Sequence, residues 1–206
     1  MKKSIYVLLS FILLFIMVGC GNHTLVGSQE NVPSQQEVQK EQETDMEQKT
    51  LVVYFSATKM TESLAKYAAE ILNADLYEIV PKDPYTEADL AYYTNGRADQ
   101  EQNNPAAHPT IFGGEENMAE YDTIVLGYPI WHGQAPRIIS TFLKSYNFSG
   151  KTILPFCTSH SSGIGSSADN LHELCSDSVN WLDGKRFEAG TTKENVKAWL
   201  EGAMGK

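Results

Sequence analysis

The sequence predicts an α/β domain of three layers, in which helices cover both faces of a five-stranded parallel sheet. Two observations support this prediction. Nearly unbroken apolar runs at residues 51–55 and 123–128 are typical of strands that are buried on both faces. Amphipathic stretches separate the apolar runs, as the crossover helices between parallel strands must do. A chain of 206 residues has room for one such domain, which we place at residues 50–206.

Local sequence signals characterise three of the predicted strands. The second contains Glu78 and stops before Pro81, so we expect it at an edge, where a charge is tolerated. The fourth contains Pro155, which cannot donate a ladder hydrogen bond, so we expect a bulge there. The fifth ends at the turn pair Asp183-Gly184. The five predicted strands span residues 51–55, 76–80, 123–128, 152–157 and 179–182.

Helices are predicted between the strands from apolar spacing and from end signals. Apolar residues on one face predict a first helix over residues 64–72, and helical stretches follow at about 87–102 and 167–174. Pro136 suits the first turn of a further helix, because its missing N–H is not needed there. Thr191 and Glu194 have the spacing of a capping box for the last helix.

The first 49 residues have a different character. Lys2 and Lys3 precede an apolar stretch at residues 5–19, which is too short for a retained membrane span and typical of a signal peptide over residues 1–20. The small residue before Cys20 resembles the lipobox of bacterial lipoproteins, although Met17 stands where that pattern usually has Leu. Residues 21–49 are rich in Gln and acids and predict a disordered tether. We therefore expect an exported protein, lipid-anchored through Cys20 to the outer face of the bacterial cytoplasmic membrane.

Composition excludes several function classes. The net charge of −10 argues against nucleic-acid binding, which needs clustered Lys and Arg. The five His residues and three Cys residues have no metal-ligand spacing, so no metal is expected. Cys157 and Cys175 could pair in an oxidising compartment, but we favour two buried free thiols.

Three loops should lie at the carboxyl edge of the sheet, where α/β proteins bind their ligands. The first, residues 56–61, has three hydroxyls and precedes a helix N-terminus, which suits a phosphate. The second, residues 127–137, holds Trp131 and His132 between two prolines, so either a planar ligand covers Trp131 or its ring folds back onto the core. The third, residues 156–166, is rich in small residues that allow a ligand to approach the backbone. Together the loops predict a site for a phosphorylated planar heterocycle.

These three motifs, in this order, resemble those of the flavodoxin-like proteins over residues 50–206. The resemblance implies a flavodoxin-like fold with FMN as the cofactor. It further implies that the first loop holds the phosphate, that the second flanks the isoalloxazine, and that the third wraps its pyrimidine side. Lys59 and His160 stand where the family often has glycine. The implied cofactor-binding residues are Ser56, Thr58, Lys59, Met60, Thr61, Pro129, Ile130, Trp131, His132, Gly133, Thr158, Ser159 and Gly163.

The resemblance leaves three functions open. The first is an electron-transfer flavoprotein that serves a redox partner protein or a small-molecule electron acceptor. The second is an FMN-dependent oxidoreductase that reduces quinones or similar acceptors with NADH or NADPH. The third is a binding module without flavin on the same fold. No catalytic residue is assigned.

Overall fold

The computed structural model describes residues 48–205. The predicted signal peptide (1–20), the lipidation site Cys20 and nearly all of the predicted tether (21–49) lie outside these residues. Strands and helices alternate along the described chain, as expected. The strands are β1 Thr50–Tyr54, β2 Asp75–Glu78, β3 Thr123–Pro129, β4 Thr152–Thr158, β5 Asn180–Trp181 and β6 Lys185–Phe187. The helices are α1 Met60–Leu72, α2 Glu87–Leu90, α3 Arg97–Asn103, α4 Arg137–Ser145, α5 Ser166–His172 and α6 Lys193–Met204, with a short 3-10 turn at Met118–Glu120.

The strands form one sheet in the order β2-β1-β3-β4-β5. Strand β6 also pairs with β4, further along β4 than β5 does. Every strand pairing in the described sheet is parallel. The predicted α/β class with a parallel sheet is therefore confirmed. The sheet is five strands wide, because β5 and β6 both pair with β4. The strand that contains Glu78 lies at an edge, as its charge predicts.

The bulge predicted at Pro155 is present, but it lies in the neighbouring strand. Ile153 of β4 pairs with Trp181, and three residues further on Phe156 pairs with Lys185, so the partner chain contains one residue more than β4. Pro155 offers no N–H at this point, and the extra residue separates β5 from β6. The fifth strand ends before Asp183-Gly184, as predicted, but this pair forms no turn, because the chain continues in the same direction as β6. A Cβ on Gly184 would lie 2.9 Å from Pro155 Cγ, so only glycine fits beside the proline.

Two helix predictions also need correction. The stretch at 87–102 is not one helix. The helix is interrupted between α2 and α3, where Tyr93 and Asn95 have φ values of 60° and 58°. The last helix is capped one residue later than its spacing predicted. The Thr192 hydroxyl, and not that of Thr191, accepts the hydrogen bond from Asn195 N–H at 3.4 Å.

The core has two halves, one on each face of the sheet. Helices α1 and α6 cover one face, and their buried residues pack on Val52, Val125 and Phe156. Helix α4 covers the other face, which also contains Tyr128 and Cys157. No helix among residues 48–205 is long and apolar enough to cross a membrane.

Both described cysteines are free thiols, as favoured from the sequence. Cys157 is fully buried at the end of β4, and burial raises the pKa of its thiol to about 12. Cys175 is half-buried, and burial raises the pKa of its thiol as well. Because the thiolate is the nucleophile, neither residue is suited to covalent chemistry at neutral pH.

The centre of the sheet provides a test of packing at Gly127 of β3. A Cβ there would lie 2.3 Å from the Phe156 ring, a separation that real Cβ atoms do not adopt. We expect Gly127→Ala to lower the free energy of unfolding by about 1–3 kcal/mol, measured by urea denaturation, because the buried ring has no space to move into.

A matched control lies in α6. A Cβ on Gly202 would meet no atom within 4 Å, so Gly202→Ala should raise stability by up to about 1 kcal/mol through its better helix propensity. Combining Gly127→Ala with Phe156→Leu should recover part of the loss. Equal stability of Gly127→Ala and the wild-type protein would contradict this account of the sheet centre.

Candidate functional site

The topology brings all three loops to one edge of the sheet, because they follow the neighbouring strands β1, β3 and β4. Two contacts join them directly. The Thr61 and Thr158 hydroxyls lie 2.8 Å apart and link the first loop to the third. Ile130 N–H donates to the Thr158 carbonyl oxygen at 2.9 Å and links the second to the third. The clustering expected from the sequence is therefore present.

The first loop presents donors that lack protein partners. The Ser56 hydroxyl oxygen is buried and makes no hydrogen bond to any residue of the described chain. The backbone N–H groups of residues 56–59 also have no hydrogen-bond partner within residues 48–205. The 13-residue helix α1 follows, with no side-chain cap on its first turn. Unpaired donors at the positive end of a helix dipole form a binding site for an anion.

Side chains around this cradle add polarity and charge. Thr58, Lys59 and Met60 are exposed at the mouth of an open cleft of about 370 Å³ between α1 and the β6–α6 connection. Lys59 has a φ of 62°, the left-handed conformation that glycine adopts most easily. The backbone at Lys59 therefore has a conformation typical of glycine, and the lysine side chain adds a positive charge there. Thr61 differs from the others, because it is buried and its hydroxyl already bonds to Thr158.

The second loop is a tight turn with His132 at its tip. Trp131 and Gln134 exchange two backbone hydrogen bonds of 2.9 and 3.0 Å, and the two residues between them both have positive φ, 49° at His132 and 75° at Gly133. This is the conformation of a type I′ turn, which glycine tolerates and histidine adopts at a cost. The imidazole leaves this turn toward α3, where it contacts Asp99.

The remaining residues of the second loop lie deeper. The Trp131 ring is only 8% exposed and packs edge to face against Phe55 and Tyr85, with ring centroids 5.5 and 5.1 Å apart. The Trp131 ring thus folds onto the core, which is the second of the two alternatives left open by the sequence. Ile130 is buried and Pro129 is half-buried at the end of β3. This loop therefore presents its backbone and the His132 ring at the surface rather than the indole.

Helix α3 holds the second loop in place through two buried polar residues that the sequence analysis did not identify. Gln102 donates to the carbonyl oxygens of Trp131 and Ala135 at 3.0 and 3.2 Å, and it accepts from Arg137 N–H at 3.0 Å. Asp99 Oδ1 lies 2.7 Å from His132 Nε2. About thirty residues separate these partners along the chain, so no spacing rule could have paired them.

The third loop is held by its own hydroxyl groups and by Arg186. Ser159 Oγ donates to the Ser162 carbonyl oxygen at 2.6 Å, and the Arg186 guanidinium donates to the His160 carbonyl oxygen at 2.9 Å. Gly163 is exposed, and a Cβ there would meet only one atom within 4 Å, at 3.9 Å. His160 does not have a positive φ, so its backbone needs no glycine. Arg186 is a further residue that the sequence analysis missed, because it lies on β6 beyond the bulge.

The site combines an anion cradle with an edge of small residues and the His132 imidazole. Burial raises the pKa of the Cys157 thiol, so this residue is not suited to act as a nucleophile at neutral pH. The geometry suits binding of a phosphorylated ligand whose planar part lies across the second and third loops. Chemistry at such a site would come from the ligand.

Comparisons with known proteins agree with this geometry. The sequence profile of the family described as Flavodoxin matches residues 49–203. A candidate flavoprotein of known structure from Bacteroides eggerthii is 40% identical, with a TM-score of 0.71, over 77% of this chain and 99% of that protein. A second one, from Bacteroides uniformis, is 41% identical, with a TM-score of 0.71, over 75% of this chain and 98% of that protein.

A more distant structure contains a ligand. A flavoprotein from Lactobacillus acidophilus, solved in complex with FMN, is 26% identical, with a TM-score of 0.55, over 68% of this chain and 93% of that protein. No curated protein matches the sequence at a significant level.

The attachment of the second loop to α3 can be tested at Gln102. Gln102→Ala removes three hydrogen bonds and leaves buried backbone groups without partners. We expect a loss of about 1–3 kcal/mol in the free energy of unfolding and faster hydrogen exchange at the Arg137 amide.

Gln100 is the matched control on the same helix. It is exposed and donates only to the Asn95 carbonyl oxygen, so Gln100→Ala should change stability by less than about 0.5 kcal/mol. Similar effects of the two substitutions would mean that Gln102 does not hold the loop.

Proposed function

Because the chain belongs to the flavodoxin family, we propose that it is an FMN-binding flavoprotein that transfers electrons at the outer face of a bacterial cytoplasmic membrane. The main supporting observation is the set of unpaired donors in the first loop. The buried Ser56 hydroxyl and four backbone N–H groups without protein partners can all donate to an acceptor with several oxygens. A terminal phosphate supplies these oxygens.

The residues around the cradle fit FMN better than a dinucleotide. The first loop serves one phosphate at one helix N-terminus, and the sequence has no glycine-rich turn for a pyrophosphate. Ser56, Thr58 and the N–H groups up to Met60 would hold the phosphate, with Lys59 supplying a positive charge. Thr61 would support the loop through its bond to Thr158. The FMN-bound relative from Lactobacillus acidophilus supports this choice of ligand.

The other two loops would hold the ring system. Residues 129–133 would flank it on one side, and Thr158, Ser159 and Gly163 would line its pyrimidine end. Bound FMN supplies the redox chemistry by accepting and returning electrons, while the protein provides position and electrostatics. The protein would pass these electrons to a partner protein or a small acceptor.

The membrane location is proposed from the N-terminal sequence. The basic residues before the apolar stretch, and Cys20 directly after it, have the order of a lipoprotein signal. Lipid on Cys20 would anchor the protein, and residues 21–49 would separate the flavin domain from the bilayer.

We expect the purified protein to bind FMN and not FAD, and to be bleached reversibly by dithionite under anaerobic conditions. Mass spectrometry of the released cofactor identifies it. Replacing Ser56 and Thr58 together by Ala should weaken FMN binding by about 10- to 100-fold, because each lost hydroxyl bonds a charged phosphate. Riboflavin has no phosphate, and its affinity should change less than about twofold.

The control is Ser145→Ala, which removes an exposed hydroxyl at the end of α4. It should leave the affinity for both ligands unchanged. Bound FAD, or no flavin after reconstitution with excess FMN, would overturn the proposed cofactor. Equal losses for FMN and riboflavin in the double variant would mean that the first loop does not hold the phosphate.

The anchor is tested separately by Cys20→Ala. The wild-type protein should enter the detergent phase on Triton X-114 partitioning, whereas the variant should remain in the aqueous phase once its signal has been removed, since the acyl chains are lost. Identical partitioning of the two processed proteins would contradict lipidation at Cys20.

A further inference from the structure

His132 at the tip of the second loop is paired with a carboxylate. Asp99 Oδ1 lies 2.7 Å from His132 Nε2, and Asp99 Oδ2 accepts a hydrogen bond from Asn95 N–H at 3.0 Å. Asp99 is 5% exposed, and the His132 side chain is 24% exposed. A carboxylate this buried is stable only when both of its oxygens are bonded, and here one of the two bonds goes to the imidazole.

The backbone is strained on both sides of this pair. His132 has a φ of 49°, and Asn95, which bonds the other Asp99 oxygen, has a φ of 58°. Left-handed backbone is unfavourable for a side-chain-bearing residue, more so for histidine than for asparagine. Gly133, the next residue of the turn, has a similar φ of 75°, which glycine adopts without strain. The left-handed backbone at His132 occurs together with the bond from its ring to Asp99.

The groups around the imidazole leave one ring nitrogen unused. Tyr92 and Tyr93 pack against the ring with centroids 5.4 and 5.8 Å away, and the Tyr92 hydroxyl donates to the Ile130 carbonyl oxygen. Together with Asp99, these two phenols are the titratable groups that contact the His132 ring in the described chain. His132 Nδ1 has no hydrogen-bond partner among residues 48–205.

We propose that Asp99 is a positioning residue that keeps the proton of the neutral His132 ring on Nε2, so that Nδ1 is the nitrogen available to the bound cofactor. A carboxylate oxygen only accepts hydrogen bonds, so the nitrogen that faces it must carry the proton. Nδ1 is then an acceptor in the neutral ring and a donor in the protonated ring. The cofactor side of this inference rests on the proposed FMN function, whereas the assignment of the proton does not.

The proton assignment is measured by nitrogen-15 NMR of the full-length protein in detergent, without flavin. At pH 8.5, where an ordinary imidazole is neutral, the His132 ring should show a protonated Nε2 and an unprotonated Nδ1, with the signals assigned by their loss in His132→Gln. Asp99→Asn has nearly the same volume, but its amide can also donate. It should shift the ring to a mixture of the two tautomers or to protonation on Nδ1.

The link to the cofactor is measured by a double-mutant cycle on the ratio of dissociation constants for oxidised and reduced FMN. His132→Gln should change this ratio by about fivefold in the wild-type background, the effect of one hydrogen bond. It should change the ratio by less than about twofold in the Asp99→Asn background, because the bond from Nδ1 is already disturbed. Asp177→Asn removes one exposed carboxylate elsewhere and should not alter the effect of His132→Gln.

The possible outcomes separate the two proposals. A wild-type ring protonated on Nδ1, or a tautomer unchanged by Asp99→Asn, overturns the role of Asp99. Additive effects of the two substitutions on the ratio of dissociation constants overturn the link to the cofactor, while FMN binding itself stands. Failure of the wild-type protein to bind FMN overturns the proposed function, and the NMR result then decides the proton assignment alone.

Discussion

The parallel pairing of β1, β3 and β4 is the constraint on which the candidate site depends. Parallel strands end at the same edge, so three loops that are separated by up to a hundred residues in the chain meet there. The pairing is continued beyond the sheet by the bond between the Thr61 and Thr158 hydroxyls and by the bond from Ile130 N–H to the Thr158 carbonyl oxygen. The polar edge is thus a rigid extension of the apolar sheet.

Different forces hold the three loops. The first loop is fixed by its two ends, a buried strand and the long helix α1, and it leaves its own donors unpaired. The second loop is clamped from outside by the buried polar residues Asp99 and Gln102 of α3. Buried polar groups are unfavourable unless they are bonded, so α3 and the loop stabilise each other only when both are in place. The unpaired donors of the described chain include the Ser56 hydroxyl and the backbone N–H groups of residues 56–59 in the first loop.

Charge is distributed in keeping with a phosphate ligand. The chain is acidic overall, with a net charge of −10, yet Lys59 stands at the mouth of the anion cradle. Arg186, beneath the third loop, is paired with Glu188 at 2.8 Å. Arg186 is three-quarters buried, and its Nε has no partner within the described chain. Lys59 therefore places a positive charge at the cradle of a protein whose net charge is negative.

Much of this protein could be predicted from its sequence, and the limits of that prediction have physical causes. The apolar runs specify strands that are buried on both faces, Glu78 marks an edge, and Pro155 indicates a bulge, because each of these signals depends on local chemistry. The three loop motifs likewise specify the ligand-binding edge and its family. Tertiary structure alone decided that the Trp131 ring faces the core, that the bulge lies opposite Pro155 and separates β5 from β6, and that Asp99, Gln102 and Arg186 hold the site loops. Those contacts join residues far apart in the chain, and they depend on packing and on the satisfaction of buried polar groups, which no local pattern encodes.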